Sequence, residues 1–119
     1  MLAAFAFLLI ATGVTAASFD MDAVVAPAEK RVAAEKKKLQ VATAEFLSRS
    51  KAEPDFRTFV AAQNVAWLKR AEAFCESDNT TGNTASAEAY QYSRNLNCVA
   101  NSLVSYVEDV RKQTAALAK

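Results

Sequence analysis

Tyr92, Leu96, Val99, Leu103, Tyr106, Val110 and Leu117 follow one another at spacings of four and three, with Gln113 the one polar interruption. That period lines up one side of an α-helix, whereas a strand alternates its faces every two residues. A helix with such a stripe must bury it against another element. The chain offers further helices: two Gly and two Pro in 119 residues leave few breaks, and Ala is abundant. The expected class is therefore all-α, a small antiparallel three-helix bundle.

The stripe predicts a third helix ending near Ala116, capped at its start by Thr84 or Ser86 with Glu88 in the first turn. A second helix is predicted from Pro54 to Cys75, because Pro suits the first helical position and Asp55 faces the positive end of the dipole. Phe56, Val60, Gln63, Trp67, Ala71 and Phe74 fall on one side of it, flanked by Phe59 and Arg70. This is the strongest apolar face, so the second helix is expected to be central. A first helix is predicted from Pro27 to Ser50, with a thin seam of Val32, Leu39 and Phe46 continuing the period of Val25. Lys36, Lys37 and Lys38 point in different directions and read as a solvated face. A short link at Lys51 to Glu53 turns the second helix antiparallel to the first. Glu76 to Asn83 is the one clear loop, where Gly82 and two Asn supply turn chemistry.

Residues 1–17 carry no charged side chain, and Leu2 to Ala11 is unbroken apolar sequence. Small residues follow as far as Ala17, so the segment reads as a secretory signal cleaved after Ala16 or Ala17. A permanent anchor needs about 20 apolar residues. The expected organisation is a signal over 1–17, a leader over 18–26 and one helical domain over 27–119. Membrane attachment is expected only if the signal stays uncut.

An even number of cysteines in an exported chain reads as a disulfide, Cys75 to Cys98. It would close a loop of about 24 residues, worth roughly 3 kcal/mol in the chain-entropy model. Two buried free thiols are the alternative. With no His, two isolated Cys do not complete a zinc shell, so no metal and no cofactor are expected. The same lack of His removes the usual general base and any Ser-His or Cys-His pair, and there is no Gly-rich phosphate loop. An enzyme is not expected. A formal net charge of +1 without a basic pole argues against a nucleic-acid partner.

Trp67 reads as core. Gln63, one turn earlier, needs a hydrogen-bond partner, and both Gln63 and Arg70 read as structural polar anchors. The polar loop is tethered at its base by Cys75, which lowers the entropy cost of binding. Glu76, Asp78, Asn79 and Gly82 are its expected partner contacts. Asn79-Thr80-Thr81 also forms a glycosylation sequon.

Gln63, Trp67-Leu68, Arg70 and Cys75, then a glycine-containing polar loop, then Cys98 on the following helix, resemble the LprI-type lysozyme-inhibitor N-terminal domain family. The likeness covers about Gln63 to Cys98. It departs from the family in lacking an earlier cysteine pair, so the first helix is expected to be held by packing alone. Leu103 and Tyr106 stand where family members tend to carry Thr and Arg. The resemblance implies a small exported bacterial protein, periplasmic or secreted, that binds another protein. It also implies inhibition of a lysozyme-type muramidase through the 76–83 loop. The competing expectation is a structural or interaction module of the cell envelope without inhibitory activity, with homo-oligomerisation open.

Overall fold

The computed structural model describes residues 20–76 and 84–117, and every regular element among them is helical. The elements are α1 (Met21–Arg49), α2 (Pro54–Glu76) and α3 (Ala85–Leu117). The expected signal over 1–17 and, apart from Glu76, the predicted loop over 76–83 lie outside the described residues. Among those described, no helix is long and apolar enough to cross a membrane.

α1 begins six residues earlier than the proline suggested. Asp20 is its N-cap, with extended backbone, and its carboxylate accepts from the Ala23 amide at 3.3 Å. Residues 21–26 therefore belong to α1 and are not a leader, and Pro27 lies inside the helix. An interior proline removes one backbone bond and crowds the preceding turn, at about 3 kcal/mol in a helix interior. Here Ala23, whose carbonyl loses that bond, and Pro27 both face solvent, while Val25 and Ala28 beside them are buried. Packing holds the helix through the break.

The buried line of α1 is Val25, Ala28, Val32, Glu35, Leu39 and Ala42, alternating three and four. The matching line of α3 is Leu96, Ala100, Leu103, Val107, Val110 and Thr114, alternating four and three, with Leu103 and Ala100 fully enclosed and Leu96 and Val110 partly buried. Two such seams pack as a coiled coil. Arg31 donates to Asn97 and Asn101 near one end, and Thr43 and Phe46 share a groove with Val110 and Gln113 near the other. Residue numbers rise together, so α1 and α3 run parallel. α2 returns between them, antiparallel to both, as expected.

The turn into α2 is built at the end of α1. Ser50 is the C-cap, Lys51 takes a left-handed conformation (φ 52°), Ala52 N–H donates to Leu47 O at 3.0 Å and Lys51 N–H to Ser48 O at 3.1 Å. This paired arrangement is a Schellman motif, which usually has glycine where Lys51 stands. At the start of α3, Thr84 is the cap: its hydroxyl accepts from the Ala87 amide at 3.1 Å, and Glu88 lies in the first turn.

The expectation that the second helix is central is corrected. α3 is the shared partner: α1 packs along it extensively, α2 over a shorter stretch, and the backbones of α1 and α2 stay apart, joined by the Asn64–Thr43 hydrogen bond and the Phe46–Phe56 rings. Only Cys75 of α2 is buried. The inward face of α2 is Val60, Asn64, Trp67, Leu68, Ala71 and Cys75, turned roughly 60° from the predicted aromatic stripe. The physical reason is the disulfide. Cys75 must face Cys98, and Asn64, Leu68 and Ala71 share its side at spacings of four and three. Phe56, Phe59 and Phe74 are left 43%, 56% and 73% exposed.

Candidate functional site

The disulfide joins Cys75, at the end of α2, to Cys98 in α3, with Cα atoms 5.7 Å apart. Cys75 is buried and belongs to the main core cluster, while Cys98 packs at its edge. The bond fixes the rotation of α2 and the root of the following loop. The pairing expected from sequence is what the structure shows, with Cys75 in the core and Cys98 at its edge.

Trp67 lies flat against Tyr106, with ring centroids 4.2 Å apart and planes 8° from parallel. It is partly buried against the core cluster. One turn earlier, Asn64 bridges all three helices. Its amide donates to the Thr43 hydroxyl on α1 at 3.0 Å, and its carbonyl accepts from the Tyr106 hydroxyl on α3 at 2.7 Å. Burial raises the Tyr106 phenol above its ordinary pKa, and the nearby Arg70 guanidinium acts in the opposite sense. Asn64 therefore fills the role expected of Gln63. Gln63 is exposed and lines a groove of about 210 Å³ with Phe56, Phe59, Tyr106 and Val110. Arg70 is exposed and acts on Tyr106 through its charge. The signal for Asn64 was its place eleven residues before Cys75, three helical turns back on the same side.

Two clefts lie end to end along α1 and α2, the first lined by those two helices and the second, beside the disulfide, by α3 as well. The larger, about 460 Å³, is lined by Leu39, Ala44, Ala61, Val65 and Leu68 together with the polar Gln40, Thr43 and Asn64. The other, about 330 Å³, sits beside the disulfide and is lined by Val32, Glu72, Glu76, Tyr92, Asn95, Leu96 and Val99. Lys36 lines both. From Ala61 to Glu76 the combined trough is about 22 Å long. Of the expected partner contacts, Glu76 stands exposed on this rim at the loop root. Asp78, Asn79 and Gly82 lie outside the described residues. Glu72 joins Glu76 one turn earlier, a carboxylate not singled out from sequence.

Among the described residues no group of three or more His, Cys, Asp or Glu is placed to hold a metal. The chemistry available at the trough is apolar contact at one end and two carboxylates with one ammonium at the other. No family model matches the chain, and neither a curated protein nor a solved structure matches it.

Proposed function

We propose that this chain is an exported protein-binding module that acts through its disulfide end. The observation that carries the reading is the juxtaposition of Glu72 and Glu76 on one cleft whose base is locked by the Cys75–Cys98 bond. A staple at the root of a contact surface reduces what must be ordered on binding. Acids on the rim favour a basic partner and speed its approach. The resemblance around Gln63, Trp67, Arg70 and Cys75 makes a lysozyme-type muramidase the first target to test, in a periplasmic or secreted setting. Such enzymes are basic and have a carboxylate-lined cleft. Glu76, Asp78, Asn79 and Gly82 would approach it together.

The test is lysis of a bacterial suspension followed by turbidity, with purified protein added at roughly micromolar concentration. Inhibition that weakens in Glu72→Gln/Glu76→Gln supports the target. Lysis that proceeds unchanged rejects it. The second reading, an envelope interaction module without inhibitory activity, is favoured by the open apolar part of the α1–α2 trough, which a rim-only inhibitor does not use.

A further inference from the structure

In a closed three-helix bundle every pair of helices is in contact. Here α1 and α2 each pack on α3, while their backbones stay apart and they meet through side chains, the Asn64–Thr43 hydrogen bond and the Phe46–Phe56 rings. That is the arrangement of a four-helix bundle with the position diagonal to α3 open. The two helices flanking the opening carry side chains at the spacing a further helix needs. Ala61, Val65, Leu68 and Glu72 repeat at four, three and four along α2, and Lys36, Gln40 and Ala44 at four and four along α1. Alanines at 44 and 61 permit close approach of another backbone. Val65 is 56% exposed on this wall, so apolar surface stands open along the trough.

Charge sets which helix fits. Glu72 and Glu76 line the disulfide end, Lys36 lies where the two clefts meet, and none of the three makes an ion pair among the described residues. The balance at that end is acidic, and the other end is aliphatic.

We infer that the α1–α2 trough receives one amphipathic α-helix of a partner protein, apolar along its length and cationic at the end that meets Glu72 and Glu76. The trough of about 22 Å accepts about 15 residues of helix. The inference rests on the reading of this chain as a protein-binding module and names the part of the partner that is recognised. Apolar anchors at every third or fourth position seat against Val65 and Leu68, as in other helix-in-groove contacts.

The experiment uses a synthetic, end-blocked 15-residue helix with leucines at alternating three and four spacing and two arginines at one end. A matched peptide carries glutamines in place of the arginines. Binding is followed by amide chemical shifts of the full chain with its disulfide intact. The inference predicts shifts confined to α1 residues 32–44, α2 residues 61–76 and α3 residues 92–99, which line the two clefts. It also predicts about tenfold weaker binding in Val65→Glu, and a several-fold loss on removing the arginines that disappears in Glu72→Gln/Glu76→Gln. Val65 is largely exposed, so the change at this position leaves the fold intact, and Phe59→Glu on the other side of α2 should leave binding unchanged. No binding at millimolar peptide overturns the inference, as do shifts centred on Phe56 and Phe59 or equal losses in Val65→Glu and Phe59→Glu. Peptide binding in the trough without any effect on muramidase lysis keeps the trough and rejects the muramidase target. Lysis that is blocked equally by Val65→Glu and by the unaltered chain keeps the target and rejects the trough as its contact.

Discussion

Glu35 occupies a seam position between α1 and α3 that an aliphatic residue would fill, and replacing it with leucine tests the coiled-coil reading directly. Its side chain is 11% exposed, and its one ion-pair partner is Lys38 at 3.1 Å, one turn along the same helix and 55% exposed. A half-exposed pair of this kind contributes less than about 1 kcal/mol after screening. Full burial of a leucine is worth about 1.5–3 kcal/mol, and the methylenes of Glu35 already supply part of that. Removing the desolvated carboxylate adds to the gain. Glu35→Leu should therefore stabilise the protein by about 1–2 kcal/mol. With an unfolding entropy near 2.1 cal/mol/K per residue over about 90 ordered residues, Tm should rise by roughly 5–10 °C. Thermal unfolding followed by far-UV circular dichroism measures it. Lys38→Ala completes the cycle: it should cost about 1 kcal/mol in the natural sequence, where it strands the carboxylate, and nothing in the Glu35→Leu background. A fall in Tm for Glu35→Leu, or an equal cost of Lys38→Ala in both backgrounds, would refute the placement of Glu35 on the seam.

Lys51→Gly relieves the left-handed turn after α1 and should stabilise by about 0.5–1 kcal/mol in urea unfolding, the glycine's extra freedom in the unfolded chain limiting the gain; a loss of stability would contradict the Schellman geometry. Tyr106→Phe removes the donor to Asn64 and should cost about 1 kcal/mol near neutral pH. Because burial raises the folded phenol, its contribution is complete below the unfolded value of about 10 and is lost as pH climbs through the folded one. The stability gap between Tyr106→Phe and the natural chain should therefore shrink in alkali, and a gap constant to pH 11 would show that Tyr106 is not buried.

The parts of the fold that sequence made legible are those set by local chemistry. The stripe from Leu96 through Val110 identified α3 and its buried side, Thr84 its cap, and the cysteine pair its staple. α1 starts earlier than sequence predicts because Pro27 fits a first turn so well, while the capping Asp20 stands ahead of the apolar period. The deeper miss was the rotation of α2. Three phenylalanines drew the predicted face toward Phe56 and Phe74, yet helix phase is settled by partners that local pattern does not reveal. Here those are Cys98 for Cys75, and Thr43 with Tyr106 for Asn64. The same phase error hid the trough, since Ala61, Val65 and Leu68 carry little apolar weight beside phenylalanine. Glu76 is legible because it borders the predicted loop, and Glu72 is not, because the cleft it lines is completed by α1 and α3.

The orientation of α2, and with it the trough and its acidic rim, depends on the covalent link from Cys75 to α3. Peptide mapping of the natural protein by mass spectrometry, digested without reduction, tests that link most directly. The account predicts a cross-linked fragment containing Cys75 and Cys98, two hydrogen masses lighter than the sum of its reduced parts, and no reaction of the native protein with an alkylating reagent. Recovery of both cysteines as alkylated, unlinked fragments would contradict it.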